Sequence, residues 1–173
     1  MKNNIYVLVL LLTSLLFVAC KKDKIEYKSD FQNSYKAWLN FKDANANSYR
    51  YKVTSGSWTG ESTETTITVQ SGKIVHRSFI AKGPNGNRPP EIVTYEQWEE
   101  DEAAINSKTN GFKAVTMDEI YERARQEWLV KRSDGKVYFE AKNNGMMSSA
   151  GYVPDGCQDD CFRGINIASI EKI

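Results

Sequence analysis

The stretch SYRYKVTSGSWTGESTETTITVQSGKIVHRSFIAK, residues 48–82, decides the predicted fold. Apolar side chains alternate with polar ones at its start, where Tyr49, Tyr51 and Val53 are separated by basic residues. This period of two is typical of a strand with one buried and one solvated face. A second alternating run follows, and the Ser-Gly pair at 71–72 indicates a tight turn into a third. We therefore expect a three-stranded antiparallel meander.

Two amphipathic helices are predicted on either side of this meander. The first begins at Ser29, which forms a capping-box pattern with Gln32. The second begins at Thr116, which forms the same pattern with Glu119. Both segments have apolar residues at helical spacing on one face, namely Phe31, Tyr35, Trp38 and Leu39 in the first and Met117, Ile120, Tyr121, Ala124 and Trp128 in the second.

Shorter alternating runs after residue 90 predict further strands, and Asn143-Asn144-Gly145 is a hairpin signal. The segment 83–90 contains several prolines and glycines and is expected to be an exposed loop. The fold class is therefore predicted as α+β: an antiparallel sheet of about six or seven strands, with the two amphipathic helices packed on one face.

The amino-terminal segment predicts an export signal that ends at a lipid-bearing cysteine. An apolar run of about 14 residues would form a helix of about 21 Å, too short for a hydrocarbon core of about 30 Å. The run ends in Leu16-Phe17-Val18-Ala19-Cys20, where a small residue precedes the cysteine as in the signal peptides of bacterial lipoproteins. We expect residues 1–19 to be removed, residues 20–28 to hold the lipidated Cys20 and a tether, and residues 29–173 to form a single domain.

These features predict a location in the cell envelope, with the membrane as one partner through the lipid on Cys20. Two or three acyl chains, at about 0.8 kcal/mol per buried methylene, would anchor the protein stably. Lys21 after the cysteine resembles lipoproteins sent to the outer membrane, so we favour that membrane, with the domain periplasmic or surface-exposed.

The charge balance argues against a nucleic-acid partner. Without Lys2, which falls in the signal peptide, the 23 basic residues become 22, equal to the 22 acidic residues. The domain therefore lacks the excess of positive charge with which proteins bind the phosphate backbone.

Cys157 and Cys161 allow three interpretations. In an exported chain they most simply form a structural disulfide, which would stabilise so short a loop by about 2 kcal/mol. A redox-active pair would more commonly have two intervening residues and no adjacent acids. The third interpretation is a cation site in which Asp155, Asp159 and Asp160 supply oxygen ligands suited to Ca²⁺, although the spacing is not that of an EF-hand.

Three other features have both a functional and a structural interpretation. Trp58 lies among small polar residues, so it is either an exposed recognition or sugar-stacking residue or a side chain folded over the sheet edge. The acidic residues at 96–102 could bind a cation or a basic partner, or simply form a solvated face. His76 is the only histidine, and no nucleophile motif accompanies it, so we assign no catalytic residue.

The motifs of the chain, taken in order, resemble an uncharacterised domain family of secreted and lipid-anchored bacterial proteins. The family pattern is a Tyr-x-Tyr strand, a VxxGxV hairpin, a TxDEL(F/Y) helix and a DDCF-GI-I ending. In this chain the strand motif is Ser48-Tyr49-Arg50-Tyr51, and the hairpin motif is Thr66-Ile67-Thr68-Val69 with Gly72-Lys73-Ile74-Val75. The helix motif is Thr116-Met117-Asp118-Glu119-Ile120-Tyr121, and the ending is residues 151–167. The resemblance covers roughly residues 35–170 and implies a small exported or lipid-anchored domain without an established activity.

The predicted function is that of a non-enzymatic binding protein of the cell envelope, whose partner is an envelope protein or polymer. We expect it to bind through a sheet face or through the loops at 55–60, 83–90 and 154–161. The alternative is a Ca²⁺-dependent ligand-binding module that uses Asp155, Asp159 and Asp160; no other cofactor is expected.

Overall fold

A computed structural model describes residues 24–173, so Cys20 and the predicted signal peptide lie outside the described residues. The main elements are α1 Lys28–Ala44, β1 Tyr49–Gly56, β2 Ser62–Gln70, β3 Lys73–Pro84, β4 Ile92–Asp101, α2 Met117–Arg123, β5 Gly135–Glu140, β6 Ser149–Pro154 and β7 Arg163–Lys172. A 3₁₀ turn at Glu102–Ala104 follows β4, and a π-type turn at Ala124–Trp128 continues α2. None of the described helices is long and apolar enough to cross a membrane.

The seven strands form an antiparallel sheet in the order β4-β3-β2-β1-β7-β6-β5. The predicted meander is confirmed as β1, β2 and β3, with Tyr51 opposite Ile67 and Ile67 opposite Arg77. Ser71 and Gly72 both have positive φ, which suits a tight hairpin between right-twisted strands. The α+β class and the strand number are therefore as the sequence predicts.

The antiparallel pairing brings three connections to one end of the sheet. Residues 57–61 join β1 to β2, residues 85–91 join β3 to β4, and residues 155–162 join β6 to β7. We call this the loop end. The three loops in which the sequence analysis placed the binding residues thus lie along the same border of the domain.

The two helix starts differ. The capping box before α2 is confirmed, since the Thr116 hydroxyl accepts the Glu119 N–H and the Glu119 carboxylate accepts the Thr116 N–H. The predicted cap at Ser29 is wrong: α1 begins at Lys28, and its N-cap Tyr27 has a left-handed conformation without a side-chain cap.

The start of α1 is set instead by a long-range backbone contact. The Glu26 N–H donates to the Leu129 carbonyl at 2.7 Å, and the Lys131 N–H donates to the Lys24 carbonyl at 2.8 Å. Ile25 forms the β-bridge of this contact with Val130. Residues 24–28, expected in the tether, are therefore joined to the folded domain.

An aromatic cluster forms part of the hydrophobic core, and we define it as Phe31, Trp38, Tyr49, Tyr51 and Tyr121, all of them buried. The Trp38 ring meets the Tyr49 ring edge-on, with centroids 4.8 Å apart. The Tyr49 hydroxyl accepts the Met117 N–H at 3.0 Å, and the Tyr51 hydroxyl donates to the Val115 carbonyl. Burial raises the pKa of both hydroxyls above the ordinary value, so they remain protonated donors and acceptors.

Two residues expected in this core lie at the surface. Tyr35 is 38% exposed and Leu39 is 41% exposed, although both follow the apolar spacing of α1. The buried stripe of the helix is narrower and includes Ser34, whose hydroxyl lies 2.8 Å from the Tyr121 hydroxyl.

The β3–β4 side of the sheet is covered by residues 102–116, which we call the polar cover. Arg77 on β3 and Glu100 on β4 are buried beneath it, with side chains only 1% exposed and Nε 3.3 Å from Oε2. Arg77 also donates to the Asn106 side chain and to the carbonyls of Lys108 and Asn110. The interpretation of residues 96–102 as a solvated face is therefore wrong at its centre, where Glu100 is internal.

Three other acidic residues of this segment pair locally. Asn110 donates to the Glu96 carboxylate, and Glu99 lies 3.5 Å from the His76 ring nitrogen Nε2. Glu102 pairs with Lys73. The acidic stretch thus ties the outer strands and the polar cover together.

Candidate functional site

The sheet divides at the loop end, and the division opens a cleft. Strand β1 pairs with β7 from Tyr49 only as far as Val53, which lies opposite Ile167. Beyond that pair, residues 54–56 of β1 remain beside β2, whereas residues 163–166 of β7 pair with β6. A register shift between Lys52 and Val53 marks the point of divergence. The cleft between the two strand ends has a volume of about 570 Å³.

The cleft is lined by neutral polar groups, aromatic rings and two carboxylates. The hydroxyl-bearing residues of its lining are Thr54, Ser55, Ser57, Ser62, Thr63 and Thr65. The carboxylates belong to Glu61 and Asp160, and Asn166 adds an amide. Of the residues that the structure describes, no Lys, Arg or His lines this cleft.

Glycines allow the walls of the cleft to approach closely. A Cβ at Gly151 would lie 2.4 Å from Cζ of Phe162, so the Phe162 ring rests on the bare backbone of β6. A Cβ at Gly111 would lie 2.7 Å from Cδ2 of Phe79, and this glycine has a φ of +79°. Glycine is required at both positions because a side chain would push an aromatic wall away.

A polar contact joins the two loops at the mouth of the cleft. The Ser57 hydroxyl donates to Oδ2 of Asp160 at 2.9 Å, which links the β1–β2 loop to the β6–β7 loop. The second loop is closed by the Cys157–Cys161 disulfide, whose Cα atoms are 6.2 Å apart. The predicted disulfide is confirmed, and it constrains the loop that carries Asp160.

Trp58 directly follows the lining residue Ser57, which we take as the rim of the cleft, and it is 77% exposed without being a lining residue itself. Its turn is held by hydrogen bonds from the Ser57 N–H to the Glu61 carbonyl at 2.8 Å and from the Gly60 N–H to the Ser57 carbonyl at 3.0 Å. Thr59 adds two hydrogen bonds to the Ser57 hydroxyl. The indole is therefore presented to solvent on a hydrogen-bonded turn and is not folded over the sheet edge.

The third loop approaches the same rim. A Cβ at Gly60 would lie 3.7 Å from Cδ of Pro84, the last residue of β3. The Tyr95 hydroxyl donates to the Pro84 carbonyl, which holds the start of the β3–β4 loop against β4. All three predicted loops thus border the region around Trp58.

The three aspartates proposed as cation ligands are not gathered. Asp160 accepts the Ser57 hydroxyl at the cleft mouth, and the Asp155 backbone N–H donates to the Asp134 carbonyl. The side chains of Asp155 and Asp159 are exposed. Residues 24–173 contain no group of three or more His, Cys, Asp or Glu side chains placed to hold a metal ion.

Sequence reasoning missed the interior of the cleft, above all Phe162, Asn166 and Phe112. Phe162 and Asn166 lie where β7 changes its partner from β1 to β6, whereas Phe112 is held there by its N–H, which donates to the Thr65 hydroxyl. No local pattern encodes either contact. One signal was available: Gly151 falls within an apolar run that predicts a strand, and glycine inside a strand often marks close backbone approach.

Comparisons of the chain with protein-family models, with curated proteins and with solved structures found no match. The functional assignment therefore depends on the residues of the cleft and on the amino-terminal motif. Both can be tested directly by substitution.

Proposed function

We propose that this protein is a lipid-anchored protein of the cell envelope that binds its partner, without catalysing a reaction, in the cleft at the loop end. The observation that carries the binding role is the cleft itself, with Trp58 exposed on a hydrogen-bonded turn at its rim. Exposed aromatic side chains beside a concave polar surface are common centres of binding energy. The motif order that resembles the exported bacterial family supports the same location.

The anchor in this proposal is the lipid on Cys20, and it would hold the domain close to the membrane. Only four peptide steps separate Cys20 from Lys24, and they span at most about 14 Å. Lys24 is hydrogen-bonded to Lys131, so the short tether would lead directly into the folded domain. We favour the outer membrane, with the domain in the periplasm or at the surface.

We also propose that both helices cover the sheet face that carries Tyr49 and Tyr51. The contacts of Trp38 with Tyr49 and of Met117 with the Tyr49 hydroxyl support this arrangement. The opposite face would then be open to solvent, with Lys52 paired to Glu64 on it at 2.9 Å.

The cleft chemistry favours binding over catalysis. Asp160, one of its two carboxylates, already accepts a hydrogen bond from Ser57. The sole histidine, His76, is on β3 beside Glu99 and is not a lining residue. We therefore assign Glu61 and Asp160 to ligand contacts.

The Ca²⁺-dependent alternative requires Asp155, Asp159 and Asp160 to converge, and their positions do not support it. A thermal-shift measurement on the full chain tests it. We expect the same melting temperature with Ca²⁺ and with a chelator; a rise with Ca²⁺ that the Asp160→Asn variant loses would favour the alternative.

Two measurements test the leading proposal. Cell fractionation should find the protein with membranes and the Cys20→Ser variant released from them. A photo-crosslinking amino acid at position 58 should give crosslinked products in intact envelopes, whereas the same group at Tyr138, an exposed residue of β5, should not. Unchanged partitioning of Cys20→Ser would overturn the anchor, and equal crosslinking at both positions would overturn the binding role of the cleft.

A further inference from the structure

We infer that the cleft binds a neutral saccharide. This inference rests on the proposed function and names the chemistry of its ligand. It is carried by three observations on the same site: the charge of the lining, the density of hydroxyl groups, and the exposed indole at the rim.

The charge of the lining excludes anionic ligands. Glu61 and Asp160 are the ionisable side chains among the described lining residues, and both are acids. An anionic ligand would bring like charges together without a basic partner. A peptide side chain with a positive charge would pair with these acids, but it would make no use of the hydroxyl-bearing residues of the lining.

The polar groups match the surface of a sugar ring. A saccharide presents hydroxyl groups that both donate and accept hydrogen bonds, and the lining hydroxyls of Ser, Thr and the Asn166 amide have the same dual capacity. The carboxylates of Glu61 and Asp160 are strong acceptors for sugar hydroxyl groups because hydrogen bonds to an ionised acceptor are stronger than neutral ones. A site that pairs every hydroxyl of its ligand gains specificity from the cost of leaving a buried partner unpaired.

The aromatic groups match the other property of a sugar ring, its apolar C–H face. Trp58 offers a flat apolar surface on a hydrogen-bonded turn, so little conformational entropy is lost when a ring stacks on it. Phe162, a lining residue, packs closely against Gly151 and adds a second aromatic ring to the site. The volume of about 570 Å³ is in the range of small-ligand sites.

The test uses the full chain, purified in a detergent without a sugar head group, on an array of neutral glycans (glucans, mannans, galactans and chito-oligosaccharides) and anionic glycans (polyuronides and sulfated chains). We expect binding to at least one neutral class and none to the anionic classes. An array without any neutral signal, or with anionic binding of equal strength, would overturn the inference.

Variants at the rim show whether the bound glycan occupies this cleft. Trp58→Ala should weaken the Kd about tenfold or more, and Trp58→Phe, which keeps an aromatic face, should retain affinity within about threefold. The matched control Tyr138→Ala removes an exposed aromatic side chain elsewhere and should leave the Kd unchanged. Because Trp58 is exposed, its removal should not unfold the domain; full affinity in Trp58→Ala would overturn the inference.

Intrinsic fluorescence gives an independent readout. Trp38 and Trp128 are buried and Trp98 is half-buried, so the difference in acrylamide quenching between the wild type and Trp58→Phe reports on Trp58. A bound neutral oligosaccharide should protect this indole from acrylamide and shift its emission to shorter wavelength. Binding on the array without protection of Trp58 would mean another site and would overturn the inference.

Two sources could present the same sugar: a glycan polymer of the envelope or the head group of a glycolipid in the membrane. Titration with the free oligosaccharide and with vesicles that carry the same head group distinguishes them. If no neutral glycan binds but position 58 still crosslinks in envelopes, the saccharide inference fails and the proposed binding function stands. If neither occurs, the binding function fails as well.

Discussion

The aromatic cluster and the polar cover occupy the same sheet but are held together by different physics. The aromatic cluster removes rings from water, and its few polar atoms meet backbone groups. The polar cover buries an ion pair, Arg77 with Glu100, and both side chains form further hydrogen bonds with loop groups. Apolar burial does not depend on ionisation, whereas a buried ion pair is costly to break and does depend on it. Acid should therefore weaken the polar cover before the aromatic cluster, whereas the largest effect of a single substitution should come from the aromatic cluster.

The largest effect is expected in the aromatic cluster, for Trp38→Ala. Trp38 is fully buried, and its Nε1–H donates to Asp118 at 2.9 Å. Its loss should lower the free energy of unfolding by about 4 kcal/mol, because a large cavity remains. Urea denaturation followed by circular dichroism measures this. The neighbouring Leu39→Ala, at an exposed position, serves as the control and should change stability by at most about 0.5 kcal/mol.

Glu100→Gln tests the polar cover. The substitution keeps the shape of the side chain but leaves the Arg77 charge buried without its partner. We expect a loss of about 3 kcal/mol in the free energy of unfolding. Glu99→Gln, on the exposed face of the same strand, is the matched control, and its effect should be small. Equal effects of the two substitutions would show that the buried ion pair does not stabilise this region.

The pH dependence of the free energy of unfolding also distinguishes the polar cover from the aromatic cluster. Burial acts to raise the pKa of the Glu100 carboxyl, but hydrogen bonds from Lys108, Ser107 and Asn106 and the Arg77 charge outweigh it, so this pKa lies below its ordinary value. A folded-state pKa below the unfolded value gives stability that is present above about pH 4.3 and is lost as the pH falls through the folded pKa. Urea midpoints from about pH 6 to about pH 3 should therefore fall more steeply for the wild type than for Glu100→Gln. Parallel curves would contradict this assignment.

Removal of the disulfide measures how much the constraint on the β6–β7 loop contributes to stability, compared with the two regions above. Replacing both Cys157 and Cys161 by serine should lower the free energy of unfolding by about 2 kcal/mol, because the closed loop is short. Reduction of the wild type should give the same change in the urea midpoint. The contact between Ser57 and Asp160 should weaken with it, visible as faster amide exchange in residues 157–161. A loss larger than that of Trp38→Ala would mean that the cluster is not the main source of stability.

The smallest effect concerns Thr116, where the polar cover ends and α2 begins. Its hydroxyl accepts the Glu119 N–H, so Thr116→Ala should cost about 1 kcal/mol. Ser29→Ala is the matched control at the start of α1, where no side-chain cap forms, and it should change the urea midpoint very little. A loss at Ser29 equal to that at Thr116 would contradict the observed difference between the helix starts.

Local features of the fold were predictable because they depend on neighbouring residues. The alternation around Tyr51, the turn at Gly72 and the cap at Thr116 each follow from spacing or backbone preference over a few positions. The same holds for the disulfide, whose cysteines are four positions apart. Where a distant contact competed with a local signal, as at Ser29, the distant contact prevailed.

The candidate site likewise has parts that the local sequence predicted and parts that depend on distant contacts. The sequence by itself identified Trp58 and Asp160 as candidate binding residues and the three loops that hold them, because exposed turns have a recognisable composition. Only the tertiary structure joined two of these loops, through the hydrogen bond from Ser57 to Asp160, which are 103 positions apart. The separation of β1 from β7 that opens the cleft, and the pairing of Arg77 with Glu100, are likewise visible only in the tertiary structure. These arrangements depend on which strands pair over long sequence distances, and local periodicity carries no information about that choice.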